Sequence, residues 1–382
     1  MTGLLTTVSY LPILKWKKGE WSALASLPDL DRDRMAPVVV MPPAGDYDPD
    51  LDRPLEPAEH IKSFGRRLYD AWGARPIFVD GLHVDDEQHR AGFDVHPLTA
   101  LLERARSAGA RPSPVTALGR STEYQAAVAR FMARHAEASL CLRTTPLDLE
   151  TGRFAEDLDA LLEQVGCAPE RVIFVLDFGS DHPAVGEEFV TWLADRLNHL
   201  PYLYRWLQLA VALTSFPEKI KANAGECTRR ARHDWEIYQR LLASGSSLSR
   251  PPIFGDYALE FPDYRPVGRV TPRARLRYST SSEYLIENGT TTKKPHGYQA
   301  IYPVAAALTD RPEFFGPEFG AGDRFMWQLR LSKRGPGAAW QWRWAATDHH
   351  LRMVGAATAK LLGREEAAPA PLQEKPMQAT FL

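Results

Sequence analysis

This sequence predicts an α/β fold, a (β/α)8 TIM-like barrel with an appended C-terminal α+β segment, and three observations carry the prediction. Eight short apolar runs each end in a charged or small polar residue: VSYLPILKWK (8–17), APVVVMPP (36–43), RPIFVD (75–80), SPVTALG (113–119), ASLCLRTT (138–145), RVIFVLDFGS (171–180), RWLQLAVALTS (205–215) and GDYALEFP (255–262). Most are followed by a stretch with apolar residues three and four apart, so strand and helix alternate. No G-x-G-x-x-G or G-x-x-x-x-G-K-[ST] follows any run, which removes the sequence signature of a Rossmann or P-loop sheet. Eight units favour closure into a ring, where the polar residues that end the strands crowd one mouth.

The helical stretches fall at 19–27, 58–73, 96–109, 121–137, 153–166, 186–200 and 228–245. In the fifth of these, Phe154, Leu158, Leu161 and Leu162 mark one apolar face, as expected of helices that pack outside a sheet. Ser121 and Thr228 read as N-terminal caps, and Gly109, Gly166 and Gly245 stand where a left-handed residue would end a helix. From about residue 263 the rhythm changes. A hairpin is expected from 273–281 and 282–289, then helices at 298–309 and 323–332, and WQWRW (340–344) alternates like a half-buried strand. A last helix near 348–363 would place His349 and His350 in its first turn, where the helix dipole disfavours an imidazolium.

At 382 residues the chain exceeds the ~250 of a bare barrel. The surplus divides it into a barrel over 1–262, an extension over 263–363 packing above the mouth, and a flexible tail over 364–382. Forty-six basic against 48 acidic residues give a net charge of −2, so nucleic acid or an anionic membrane would need a local patch. Cys141, Cys167 and Cys227 form no C-x-x-C pair, which argues against a disulfide framework or thiolate zinc and suits a reducing cytosol. There is no secretory leader pattern and no apolar run long enough to span a membrane, so a cytoplasmic location is expected.

The candidate chemistry lies at the strand ends. Leu11, Ile13, Lys15 and Lys17 alternate onto one face, so the two lysines would form a cationic lip, and a desolvated Lys15 could serve as a nucleophile. Two solvated lysines beyond the strand are the competing reading. Asp80, Arg143 and Asp177 close their runs and Glu260 lies inside the eighth, so carboxylates for acid/base work and an anion clamp could converge, or could simply form ion pairs. His83, Asp85, Asp86, His89 and His96 share one loop of metal-capable side chains without ligand spacing, so no metal site is assigned and a divalent ion stays only compatible. Arg275, Arg277 and Ser279 alternate as an anion-binding row. Tyr278, Asp323 and Arg343 complete the proposed ligand contacts, and His349 or His350 would shuttle a proton.

The opening Y-x-P-I-L-K-W-K-x-G-E-W-x-A-L (10–24), the R-Y-S of 277–279, the F-x-G-x-x-F-G-x-G-D stretch (314–323) and the W-R followed by H-H (342–350) resemble the phage beta-protein family. The resemblance implies a setting in phage–host conflict or mobile elements and no particular reaction. The family's F-S-x-G-D here reads Phe319, Gly320, Ala321, Gly322 and Asp323, which removes the serine hydroxyl.

Together these readings favour a barrel protein of antiviral defence that binds a phosphorylated or nucleotide-like ligand at its mouth, as a hydrolase or transferase. The catalytic set would be Lys15, Asp80, Asp177, His349 and His350, with Lys17, Arg143, Glu260, Arg277, Tyr278, Asp323 and Arg343 holding the ligand. The alternatives are a non-catalytic adaptor that docks a partner protein through its C-terminal tail, and a binder of single-stranded nucleic acid through the Trp/Arg segment.

Overall fold

Apolar residues at every second position build the barrel. In the computed structural model, which describes residues 5–43, 45, 47–48, 53–54, 56–85, 94–243, 248–264, 271–293 and 295–364, the strands in chain order begin with β1 (Tyr10–Lys15) and β2 (Val38–Val40). A short antiparallel pair follows, β3 (Tyr47–Asp48) with β4 (Arg53–Pro54). Next come β5 (Pro76–Asp80), β6 (Arg111–Thr116), β7 (Leu140–Thr144), β8 (Val172–Gly179), β9 (Gln208–Leu213), β10 (Cys227–Ala231) and β11 (Ile253–Asp256). Eight of them close a ring in the order β1, β11, β9, β8, β7, β6, β5, β2, every neighbouring pair parallel. The fold is a (β/α)8 barrel. Leu11, Ile13, Val38, Phe78, Val115, Cys141, Ile173, Val175 and Ala210 fill its interior, while Tyr10, Leu14, Val39, Val79 and Phe174, at the alternate positions, join the layer between ring and helices.

The outer layer is made by α1 (Lys18–Ser26), α2 (Asp29–Asp33), α3 (Pro57–Lys62), α4 (Phe64–Trp72), α5 (Pro97–Ser107), α6 (Thr122–Arg134), α7 (Pro146–Leu149), α8 (Phe154–Val165), α9 (Glu187–Asn198) and α10 (His233–Ala243). Ser121 caps α6 as expected, its Oγ accepting from the Tyr124 amide at 3.1 Å, and Gly166 ends α8 in the left-handed conformation. Gly245 lies outside the described residues. The stretch 58–73 divides at Ser63 into α3 and α4.

Beyond the barrel strands lie β12 (Arg273–Ser279), β13 (Glu283–Thr291), α11 (Ile301–Thr309), α12 (Ala321–Arg330) and α13 (Ala339–Leu361). β12 and β13 form the expected hairpin, and β10 pairs antiparallel with β13 to make a three-stranded sheet. Here the structure corrects two readings. Thr228 caps no helix, because 227–231 is recruited as a strand by the free edge of β13, and α10 starts only at His233. The run WQWRW is helical and opens the 23-residue α13, which buries Trp342 and Trp344.

α13 packs along α1 and against β1, which places it in the outer layer beside the seam where β11 meets β1. A Cβ on its Gly355 would stand 2.9 Å from Met35, and Thr358 bonds Ser9 at 3.4 Å. Residues 257–338 therefore separate the last barrel strand from the helix that covers it. His349 and His350 lie in the interior of α13, with no exposed surface, so the free amides of a helix start are remote from them.

α12 and α13 touch backbone to backbone at Gly322, where a Cβ would meet the Ala345 carbonyl oxygen at 2.1 Å. Gly322→Ala would gain about 1 kcal/mol of helix propensity, but forcing the helices apart costs about 1–3 kcal/mol. We expect a lower urea midpoint with an unchanged slope. A midpoint equal to or above the parent's would show that the contact is not tight.

Candidate active site at the barrel mouth

Three aspartates stand at the C-terminal ends of barrel strands: Asp80 and Asp256 are the last residues of β5 and β11, and Asp177 marks a register shift two residues before the end of β8. Asp80, Asp177 and Asp256 each accept the backbone N–H two residues further on, from Leu82, Gly179 and Ala258, all at 2.9 Å. Such a side chain turns the backbone out of the strand ladder. Hence β11 stops at Asp256, and Glu260, read from sequence as part of the eighth strand, belongs to the loop that follows. Strand parity then separates the carboxylates: Asp80 and Asp177 continue the inward series of Phe78 and Val175, whereas Asp256 continues the outward series of Phe254.

Inside the mouth, Arg143 binds both inward carboxylates. Its Nε and Nη2 donate to Asp177 Oδ2 at 2.9 and 2.5 Å, its Nη1 to Asp80 Oδ2 at 2.7 Å, and its Nη2 also to the Tyr257 hydroxyl at 2.7 Å. Tyr257 donates in turn to Asp177 at 2.8 Å, and Arg120 donates to Asp80 at 2.8 Å. Burial alone would raise the Asp80 carboxyl, but Arg120, Arg143 and the Leu82 amide more than offset it and hold it below the usual carboxylate range. Burial, with the charge of Asp177 beside it, pushes the Tyr257 phenol well up, so it keeps its proton. Two guanidinium groups balance two carboxylates, and Arg143 has one of its five N–H donors left over.

Above this plug lies a cavity of about 550 Å³, lined by Arg143, Asp177 and Tyr257 at the floor and by Leu82, His83, Leu147, Phe178, Asp181, Phe189, Trp192 and Asp263 on the walls. Phe189 and Trp192, three residues apart on α9, stack with ring centroids 5.7 Å apart. On the side of His83 and Asp263, Lys15 Nζ donates to the Asp263 carbonyl at 2.6 Å and sits 4.6 Å from the Tyr264 ring centre. His83 meets the same ring edge-on at 4.8 Å. Desolvation first, then the nearby Lys17 and Arg343 charges, bring the Lys15 ammonium down from 10.5 to about 8. Burial also lowers His83, and Arg120, Lys15 and Arg143 reinforce the shift, so its ring is neutral at pH 7.

The structure brings Lys15, Asp80, Arg143 and Asp177 to one end of the barrel, with Lys17 at the lip, its Nζ 5.2 Å from the Tyr264 ring. Glu260 is held between Arg277 and Arg343, and Arg343 lies 3.6 Å from Glu20, so these form ion pairs at the rim. The remaining candidates are elsewhere. Tyr278 donates to Asp323 at 2.8 Å, and His349 lies between Asp323 and the Ser279 carbonyl at 3.0 and 2.9 Å, all four residues fully buried. His350 joins Ser279 Oγ (2.6 Å) to Asp256 (2.8 Å), which also accepts from Tyr10 at 2.5 Å. This chain lies outside the barrel wall with no exposed surface. A proton shuttle into the mouth by His349 or His350 is therefore corrected to a packing role, because the inward and outward faces of a strand do not communicate.

Sequence reasoning missed Tyr257, Arg120 and Asp181, and it read His83 only as a metal-capable side chain. Tyr257 was legible as the residue that follows Asp256 with the opposite parity. Among the described residues no cluster of His, Cys, Asp and Glu could hold a metal ion. His96 pairs with Asp85 at 2.9 Å, and Asp86 and His89 lie outside the described residues. No helix among the described residues is long and apolar enough to cross a membrane.

Two expectations follow from this geometry. Arg143→Ala strands Asp80 and Asp177 in the interior with Arg120 as their remaining cation and should cost about 3–5 kcal/mol; a loss under 1 kcal/mol on urea unfolding would mean that water replaces the guanidinium. The Lys15 amine is an unreactive ammonium below pH 8 and becomes free as pH rises through that value, since its folded state disfavours the charged form. Trace acetylation followed by peptide mass spectrometry should give Lys15 a midpoint near 8, against about 10.4 for ordinary lysines. A midpoint at the ordinary value would reject the desolvated amine.

Among solved structures, a DUF72 family protein from Enterococcus faecalis V583 aligns at 8% identity over 65% of this chain and 90% of that one, with a TM-score of 0.29. A sugar phosphate isomerase/epimerase from Parabacteroides distasonis ATCC 8503 aligns at 12% identity over 64% of this chain and 82% of that one, with a TM-score of 0.26. Scores this low carry no argument, and the barrel rests on its own strand pairing. No curated protein matches the sequence. The model of the family described as Beta protein matches residues 10–356, nearly the whole barrel and extension, and the chain belongs to that family.

Proposed function

We propose that the barrel mouth binds a phosphorylated, nucleotide-like ligand and hydrolyses or transfers its phosphoryl group. The observation that supports this reading is the pairing, across one cavity, of an aromatic wall at Phe178, Phe189 and Trp192 with the remaining donor of Arg143, beside which Lys15, bonded to the carbonyl of the lining residue Asp263, stands at the rim. A planar base fits the first and a phosphate the second.

Asp80 and Asp177 are committed to Arg143 and Arg120, so the proton-accepting role passes to His83, which is neutral at the rim. In hydrolysis, water adds to phosphorus while the bond to the leaving oxygen breaks, and that oxygen departs with the bond's electron pair and is protonated by solvent; His83 takes the water's proton and Lys15 stabilises the charge gathering on the phosphoryl oxygens. Free Cys141, Cys167 and Cys227 suit a cytosolic setting, and a setting in phage–host conflict is what the resemblance of the sequence to the phage beta-protein family implies. The adaptor alternative depends on the tail over 364–382, of which residues 365–382 lie outside the described residues.

Thermal-shift titration with nucleosides, nucleoside mono- and diphosphates and inorganic phosphate tests the reading. Phosphorylated compounds should raise Tm, unphosphorylated nucleosides should do so less, and Lys15→Ala should weaken the phosphorylated ligands at least about tenfold. The reading fails if no phosphorylated compound shifts Tm, or if Lys15→Ala binds as tightly as the parent.

A further inference from the structure

Among the described residues, one carboxylate of the mouth is left without a partner. Three carboxylates line the cavity: Asp177 is bound by Arg143 and Tyr257, and Asp263 stands beside Lys15, which bonds its carbonyl. The third, Asp181, is exposed at the rim, and among the described residues its side chain makes no hydrogen bond or ion pair. It belongs to the same segment as the floor and the aromatic wall. Asp177 lies at the floor, and Phe178 packs edge-on against Phe189 and Trp192 with ring centroids 5.6 and 6.3 Å away. Gly179 then turns the chain with a left-handed φ of 56°, and the Asp181 amide closes the turn by donating to the Phe178 carbonyl at 2.8 Å.

The segment is anchored on its far side as well. His182, the next residue, faces the Thr214 carbonyl with Nε2 at 3.1 Å and Ser215 Oγ at 3.2 Å, just beyond the end of β9. Asp181 therefore stands at a set place beside the Phe178 ring, between its own bonded amide and a tethered neighbour. An ionised carboxylate only accepts, and its two oxygens can take two parallel N–H donors. Facing the phosphate of a ligand, it would repel the charge it met. The end of the ligand that it suits is the planar end lying along Phe178, Phe189 and Trp192.

We propose that Asp181 reads the base of the ligand and selects guanine. The inference rests on the nucleotide-like reading of the mouth and deepens it by naming the substrate class. Of the common bases, guanine alone presents two adjacent N–H donors, N1–H and the 2-amino group, which match the two oxygens of one carboxylate. Adenine and cytosine set an acceptor nitrogen beside their amine, and uracil flanks its single N–H with two carbonyl oxygens, so each would turn a lone pair toward Asp181. A site built around a hydrogen-bonding group rejects a ligand that leaves that group unpaired far more strongly than one that merely lacks a contact. With the base edge on Asp181, the phosphate lies toward the donor of Arg143, and the two negative charges are kept apart.

Isothermal titration calorimetry of the full chain with the 5′-monophosphates of guanosine, inosine, adenosine and uridine tests the assignment. Guanosine monophosphate should bind at least about tenfold more tightly than the adenosine and uridine compounds, and inosine monophosphate, which keeps N1–H but lacks the amine, should fall between. In Asp181→Ala the ratio of guanosine to adenosine monophosphate affinity should fall to about one. A merely structural role would weaken all four compounds together and leave that ratio where it was. Thermal melting identifies a variant that fails to fold; Asp181→Asn, of the same size, then replaces it, with the same fall in ratio expected because its NH2 opposes one guanine donor. Equal binding of the guanosine and adenosine compounds by the parent overturns the selection and leaves the phosphorylated-ligand reading standing, whereas no binding of any of the four overturns both. A folded variant that keeps the parent's ratio overturns the role of Asp181.

Discussion

Strand β1 is paired on both sides, through Ile13, Leu14 and Lys15 to β2 and through Tyr10, Leu11 and Pro12 to β11, and this double pairing closes the sheet into a ring. A closed sheet has no edge, and its strand ends must converge. Because β1 joins β2 at its C-terminal half and β11 at its N-terminal half, the strands are staggered, as tilt in a barrel demands. Lys15 reaches the mouth for that reason. Residues separated by more than two hundred positions, such as Lys15 and Asp263, become hydrogen-bonded neighbours.

Side-chain parity does the rest. The same chemical device, an aspartate near the end of a strand that accepts the second following amide, serves two different ends depending on which face it occupies. Asp80 and Asp177 point inward and are neutralised by Arg143 and Arg120 as the floor of a cavity. Asp256 points outward, and its partners Tyr10 and His350 tie the barrel wall to α13. Burial favours neither carboxylate when ionised, so each is stable only because cationic or neutral donors surround it. The inner set is electrically balanced, which leaves at the rim the amine of Lys15, brought down to about 8, and the imidazole of His83, which burial holds in its neutral form.

Much of the architecture was legible in local pattern. Seven of the eight apolar runs fall on barrel strands, while the eighth, read at 255–262, overlaps β11 (Ile253–Asp256) only at Gly255 and Asp256; the helix starting at Ser121 and the left-handed Gly166 were visible as single residues. The failures share one cause. Residues 227–231 look helical by themselves, but the edge of β13 offers hydrogen bonds that only the assembled sheet supplies. The alternation of Trp340, Trp342 and Trp344 suggested a strand, yet the segment lies in a helix whose neighbours α1 and α12 bury it. Tertiary contact outweighs local preference when the difference between the two local states is only about a kcal/mol per residue.

The sequence by itself determined the number of strands, their parallel alternation with helices, and the membership of Lys15, Asp80, Arg143 and Asp177 in the strand-end set, because each follows from residue order and the two-residue period of a strand. The tertiary structure decided which carboxylates share an arginine, that Tyr257 joins them, that His349 and His350 are sealed outside the wall, and that α13 lies against β1. Those outcomes depend on distances across the ring and on which face of a strand a side chain takes. Such distances exist only once the chain has closed on itself.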